Sequence, residues 1–194
     1  AAAAAAAAAA EAEAAAATAA TVAKAAMATM AAMWAMAAAD VPCPELFGSN
    51  SFADYVERTS HADGWSDIDL NQLHQWQLRM MIDYGHSDGS NALLPCELRQ
   101  RCHDAMQSAE TSPSQLQRSV AAVLAVTHPG FEEEVIEPRT GYSLDLALRS
   151  SCVAVEVDGP SHFLQDVAGD HSHNGSTLLK RHLLKAAGWR VISV

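Results

Sequence analysis

Residues 141–158 read GYSLDLALRSSCVAVEVD, and this stretch decides the fold of the C-terminal part of the chain. Tyr142–Arg149 and Cys152–Asp158 each alternate apolar with small or polar residues, which predicts two β-strands. Ser150-Ser151 predicts a two-residue hairpin turn between them. In that register the aliphatic pairs on one face are Leu148 with Val153, Leu146 with Val155, and Leu144 with Val157. A slip of one residue would break every pair, so the pattern specifies the register.

The opposite face of this predicted hairpin carries carboxylates. Asp145 falls opposite Glu156, and Asp158 points to the same side. Opposed carboxylates repel each other unless a raised pKa, a basic neighbour or a bound cation relieves them. One interpretation is therefore a catalytic cluster of these three residues, with Asp145 and Glu156 as ligands of Mg²⁺. The other, which we favour, is a structural face paired with Lys180 or Arg181.

The segments around the hairpin predict a complete α/β module. A helix begins at Ser112-Pro113, with Leu116, Val120, Val123 and Leu124 on its buried face. A first strand covers Phe131–Glu137, a second helix covers Thr177–Ala187 after a polar loop, and a last strand covers Trp189–Val194. The order is α-β-β-β-α-β, and the crossover helix makes the last two strands parallel.

The residues before the module are predicted to be helical. Residues 70–110 form a pair of amphipathic helices that resembles one unit of an α-repeat array, and we expect further repeats or a partner to cover it. Residues 40–69 predict a linker. Residues 1–39 are almost all alanine, which favours helix. This segment is either a true low-complexity extension or, as we favour, alanine standing for side chains that were not identified.

Charge is distributed unevenly along the chain. The formal net charge is −11 at pH 7, which argues against bulk electrostatic binding of nucleic acid. His171–Val194 nevertheless contains no acidic residue, so an anionic partner should meet the C-terminal helix. His162, His171 and His173 flank the predicted loop as exposed residues, and His162 is placed to reach the acidic cluster. The predicted phosphate-binding residues are Lys180, Arg181, Lys185, Arg190 and His162.

Cysteine usage and hydropathy limit the class of protein. The four cysteines show neither a CxxC pair nor the density of a disulfide scaffold, which favours free thiols in a reducing compartment. No uninterrupted run of large apolar residues is long enough for a membrane span, so we expect no membrane partner.

Two blocks of sequence carry a resemblance to a known family. Residues 153–163, VAVEVDGPSHF, and residues 174–194, NGSTLLKRHLLKAAGWRVISV, resemble RAP domains, and Gly141–Asp145 fits the preceding strand of that family. The resemblance covers residues 112–194, and the usual end of such a domain is expected beyond Val194. It implies a restriction-endonuclease-like fold, whose nucleases use Asp…Glu-x-Lys. Asp145 and Glu156 match the first two positions, but Asp158 replaces the lysine.

The resemblance also implies a function. RAP proteins act on transcripts and ribosomal RNA in mitochondria and chloroplasts, often behind helical repeats such as the octotricopeptide repeats of algal organelles. We therefore expect an organellar RNA-binding protein acting in RNA processing, stability or ribosome assembly, with RNA and other ribonucleoprotein proteins as partners. Two alternatives remain open: a structural component of an organellar ribosome, and a Mg²⁺-dependent endoribonuclease. We interpret the chain as a binding protein rather than an enzyme.

Overall fold

A computed structural model of the chain describes residues 2–41, 56, 65–83, 94–108, 112–165, 169 and 171–194. Most of the predicted linker therefore lies outside the described residues. The helices are α1 (Ala2–Ala38), α2 (Asp67–Asp83), α3 (Cys96–Gln107), α4 (Gln115–Thr127) and α5 (Gly175–Ala186). The strands are β1 (Glu132–Ile136), β2 (Ser143–Leu148), β3 (Val153–Glu156), β4 (Phe163–Gln165), β5 (His171–His173) and β6 (Arg190–Ser193). In these ranges, no helix combines the length and hydropathy needed to cross a bilayer.

The main sheet confirms the predicted strand pairing. Its order is β1-β2-β3-β6, with β1, β2 and β3 antiparallel and β6 parallel to β3. Leu148 lies opposite Val153 and Leu146 opposite Val155, as the hairpin pattern predicted. The turn is longer than predicted, because Arg149–Ser151 form a 3-10 turn and Cys152 follows with a φ of 49°. A left-handed residue at this position is how longer hairpin loops commonly return to the strand.

The predicted polar loop after β3 contains secondary structure of its own. Pro160–His162 form a 3-10 turn, and β4 and β5 form a separate antiparallel hairpin. Strands of three residues are too short to show an alternating pattern, so the sequence did not reveal them. Helix α5 begins at Gly175 rather than Thr177, because Asn174 caps it by accepting a hydrogen bond from the Thr177 amide at 2.9 Å.

Both faces of the sheet are covered, which corrects the single aliphatic face that the hairpin predicted. Leu146, Val155 and Val157 pack against α4, while Ala147 and Ala154 pack against α5. Leu144 joins the α5-side cluster instead of the cluster that contains Leu146. The carboxylates that share the face of Ala147 and Ala154 therefore lie beneath α5.

Helix α4 starts later than predicted, and only part of its predicted apolar face is buried: Val120 and Leu124 pack against the sheet as predicted. Its cap is Ser114, whose Oγ accepts from the Gln117 amide, and not Ser112. Gln117 and Ala121 are buried, whereas Leu116 and Val123 are exposed. Gln117 is drawn inward because its amide donates to Glu134 at 2.6 Å. With Gln117 buried, the Leu116 and Val123 side chains of the predicted apolar face lie toward solvent.

Helices α2 and α3 bury their apolar faces within the chain. Their cluster includes Leu73, Trp76, Leu98 and Cys102, and Met36 of α1 packs against it. Helix α1 thus supplies part of the cover for this pair, and the expectation of further repeats or a partner stays a prediction.

The C-terminal end of α1 packs against α2 and against the first residue of α5. The Trp34 indole donates to Gln75 of α2 at 2.5 Å. Ala38 lies against Gly175, where an added Cβ would approach the Ala38 carbonyl oxygen at 3.0 Å. The end of the alanine-rich segment is thus packed, and a Cβ at Gly175 would require a shift of a few tenths of an ångström between α1 and α5.

Candidate functional site

A buried ion pair lies at the centre of the carboxylate face. Glu156, at the end of β3, is only 6% exposed, and its Oε2 accepts from Lys180 Nζ at 2.5 Å. Burial raises the pKa of Glu156 above its ordinary value, while the Lys180 ammonium opposes that shift. Lys180 also lies 5.8 Å from the centre of the buried Tyr142 ring. The basic neighbour that the sequence left open between Lys180 and Arg181 is therefore Lys180.

Asp145 is hydrogen-bonded to the backbone at the end of β3. Its Oδ2 accepts a hydrogen bond from the backbone amide of Val157 at 2.7 Å. The negative charges of Asp145 and Asp158 add to the raised pKa of Glu156. Asp145 thus contributes a local field and a backbone anchor at the end of β3.

Asp158 joins the β4–β5 hairpin to the sheet. Its side chain is 4% exposed, with Oδ1 at 3.3 Å from His162 Nδ1 and Oδ2 at 3.2 Å from His173 Nε2. Arg181 contacts the same His173 ring and donates to Ser193 of β6. Asp158, which stands where the resemblance to nucleases would place a lysine, is thus an aspartate bound by two histidines.

These groups line one cleft of about 160 Å³ at the N-terminal end of α5. Unsatisfied amides give such an end a positive partial charge, and Lys180 and Arg181 add full charges. The residues that line the cleft are Gln75, Tyr142, Glu156, Asp158, His162, Ser176, Thr177, Lys180 and Arg181.

The predicted RNA-binding residues do not form a single surface. His162, Lys180 and Arg181 line the cleft, and Lys185 is exposed on the last turn of α5. Arg190 lines a different groove together with Val153 and Val155, on the α4 side of the sheet. Its side chain therefore faces away from the cleft.

The donor set does not fit a divalent cation. In the described ranges no three His, Cys, Asp or Glu side chains are arranged to hold a metal ion. Lys180 already neutralises Glu156, and Asp145 is bound to the backbone. The geometry therefore supports an ion-paired face rather than the Mg²⁺ site considered from the sequence.

Sequence reasoning missed several residues that shape the cleft. Gln75 comes from α2, far from the motif blocks, and Tyr142 was treated only as part of an apolar face. Thr177 was taken as a helix start, yet its Oγ1 lies 3.1 Å from His162 Nδ1. His173 is the half-buried residue of β5, and a strand of three residues carries no sequence pattern that distinguishes it from His171.

The fold and the site together define a class: an α/β module whose mixed sheet carries buried carboxylates beneath a cationic crossover helix. The RAP domain family model matches residues 155–194. A chloroplastic RAP domain-containing protein from Oryza sativa subsp. japonica is 35% identical over 82 residues, which is 42% of this chain and 12% of that protein. No solved structure matches the chain. Residues 155–194 of this chain therefore match a RAP domain, and the likeness of this part of the chain to restriction endonucleases stays a prediction.

Removing Lys180 should destabilise the domain in a pH-dependent way. Lys180→Ala leaves Glu156 buried without its counter-ion, and we expect a loss of about 2 kcal/mol at neutral pH. Because the pKa of Glu156 is raised in the folded protein, this carboxyl stays protonated to a higher pH than its ordinary pKa of 4.5 implies. The stability lost in Lys180→Ala should therefore grow as the pH rises above 4.5 and Glu156 becomes charged. Urea unfolding of both forms between acid and neutral pH measures it. A pH-independent difference would contradict the expectation.

Proposed function

We propose that this chain is part of an RNA-binding protein that acts in an organelle, and that α5 and the cleft at its N-terminal end contact the RNA. The observation that supports the proposal is the placement of Lys180 and Arg181 in this cleft, with Lys185 exposed farther along the same helix. Phosphate contacts by lysine and arginine supply most of the affinity of such proteins for nucleic acid. The excess of acidic residues elsewhere limits binding to this face.

The three cations differ in what they offer to RNA. Lys180 is held by Glu156, and Arg181 is oriented by His173 and Ser193. Lys185 is exposed and lies in the last turn of the helix. We therefore assign non-specific phosphate contact to Lys185 and fixed positioning of RNA to Arg181.

This assignment predicts how salt dependence changes. Lys185→Ala should lower RNA affinity several-fold and reduce the slope of log affinity against log salt by about one, because one phosphate contact is lost. Arg118→Ala is the matched control, because Arg118 is exposed on α4. Fluorescence anisotropy with single-stranded RNA at several salt concentrations measures both slopes. Equal slopes for both variants and the unaltered chain would remove α5 from the RNA-binding surface.

Within an organelle we propose a role in RNA processing, stability or ribosome assembly. The relative from rice is described as chloroplastic, which supports an organellar location without deciding between chloroplast and mitochondrion. Exposed apolar side chains on α4 favour protein partners in a ribonucleoprotein assembly, and so also the alternative of a structural ribosomal component. These side chains are Leu116, Val123 and Val126. Co-sedimentation with ribosomal subunits at high salt distinguishes a resident subunit from a dissociable factor.

We propose binding rather than cleavage. The Lys180–Glu156 ion pair and the Asp145–Val157 hydrogen bond occupy the groups that a metal-dependent ribonuclease would use. Incubation of RNA with Mg²⁺ and purified protein is the direct assay. Cleavage that disappears in Asp145→Ala would replace this proposal with the ribonuclease alternative.

A further inference from the structure

One buried polar atom of the cleft has no partner. Glu156 lines the cleft and is 6% exposed, and while its Oε2 accepts from Lys180, its Oε1 makes no hydrogen bond to any described residue. Buried polar atoms in folded proteins are almost always paired, so an orphaned carboxylate oxygen in a cleft indicates a missing hydrogen-bond donor. This observation is independent of the positive charge at the helix N-terminus.

The missing donor is not supplied by a phosphate group alone. Internal phosphates of RNA carry only acceptor oxygens, and they would be repelled by Glu156 and Asp158. A base differs, because its Watson–Crick edge presents an N–H donor next to an acceptor. Glu156 Oε1 and Lys180 Nζ offer the complementary acceptor and donor side by side, since the ammonium has donors beyond the one given to Glu156.

The rest of the cleft suits the phosphate of the same nucleotide. Arg181 and Ser176 line it, and the positive end of α5 lies at its edge. The volume of the cleft is about 160 Å³. Pockets for drug-sized ligands begin near about 300 Å³, so this cleft is matched to one base and not to a stack of several.

We propose that the cleft takes one unpaired RNA nucleotide, with Glu156 Oε1 accepting from an N–H of its Watson–Crick edge and Lys180 donating to the neighbouring acceptor. This inference rests on the proposed RNA binding and adds that the ligand is unpaired RNA, because base pairing hides that edge. Glu156 and Lys180 then read the base, while Arg181 holds its backbone.

The test uses the 194-residue chain and two RNAs that differ only at the base edge. A uridine oligonucleotide is compared with the same oligonucleotide methylated at N3 of every uracil, which removes the single N–H donor of that base. We expect the methylated RNA to bind roughly tenfold more weakly, the effect of losing one hydrogen bond to a charged group. Equal affinity overturns the inference but leaves RNA binding standing, whereas failure of both RNAs to bind overturns the proposed function as well.

A substitution in the protein gives a second measurement. In Glu156→Gln, Lys180 should hold the amide oxygen, so the amide NH₂ takes the place of Oε1 and faces the base N–H as another donor. We expect this variant to bind both RNAs with the same affinity, while Glu133→Gln on the exposed part of β1 keeps the difference. Retained discrimination in folded Glu156→Gln overturns the assignment. If the variant does not fold, the comparison of the two RNAs with the unaltered chain decides.

Discussion

Replacement of Glu137 by alanine is expected to destabilise the protein by about 3 kcal/mol. Glu137 is 3% exposed and follows β1, where its Oε2 accepts from the Thr140 amide and hydroxyl at 2.7 Å each and from the Arg139 amide at 3.1 Å. Its own amide donates to the Tyr142 carbonyl, which closes the β1–β2 connection. Alanine leaves two buried donors of Thr140 unpaired, and each costs about 1–3 kcal/mol.

Two variants separate this effect from a simple loss of charge. Glu137→Gln keeps an acceptor oxygen for the Thr140 donors, so its loss should be clearly smaller. Glu133→Ala removes an exposed carboxylate from the same strand and should change stability by less than about 0.5 kcal/mol. The free energy of unfolding from urea titration measures all three. If Glu137→Ala proves as stable as Glu133→Ala, this turn does not depend on the buried carboxylate.

The hairpin shows what local pattern predicts well. Its register followed from aliphatic residues of β2 and β3 that are complementary in only one alignment, and the structure reproduces the Leu146–Val155 and Leu148–Val153 pairs. The parallel pairing of β6 followed from the crossover helix. The hairpin register and the parallel pairing both depend on residues that are close in the sequence, so both could be predicted without knowing the rest of the molecule.

Contacts between segments that are distant in the sequence could not be predicted from such local patterns. Lys180 was one of two candidates for the acidic face, and only the orientation of α5 selects it. Arg190 was grouped with the cationic helix by charge, but its side of the sheet depends on its alignment with Val153. The burial of Gln117 was not predicted, because it depends on the hydrogen bond that its amide donates to Glu134 of β1.

The β1–β2 turn illustrates the same limit in the interior. His74 of α2 and Thr140 are separated by 66 positions, yet His74 Nε2 lies 2.8 Å from the Thr140 carbonyl oxygen. Neither residue belongs to a motif, and hydrophobic periodicity assigns no role to a polar residue such as His74. The docking of the helical pair on the α/β module therefore includes a buried polar contact that no sequence pattern marked.

The burial of His74 is expected to make the stability of the protein sensitive to acid. Burial lowers the pKa of His74 from 6.5 to about 4, and the nearby His103 adds to the shift, although the hydrogen bond to Thr140 opposes it. The unfolded chain therefore binds more protons than the folded chain between these values. Stability is fully present above about pH 6.5 and falls as pH drops toward 4. The full loss is on the order of 3 kcal/mol, at 1.36 kcal/mol for each pKa unit.

His74→Gln isolates this contribution, because glutamine keeps an N–H donor for the Thr140 carbonyl but does not titrate. We expect the unfolding free energy of the variant to change much less between pH 7 and pH 4 than that of the unaltered chain. His128→Gln is the control, since His128 is exposed at the end of α4 and its loss should leave the pH profile as it was. Parallel pH profiles for the unaltered chain and His74→Gln would show that His74 takes up no proton on unfolding in this range. The acid sensitivity would then have to come from groups other than the helix α2 contact with the β1–β2 turn.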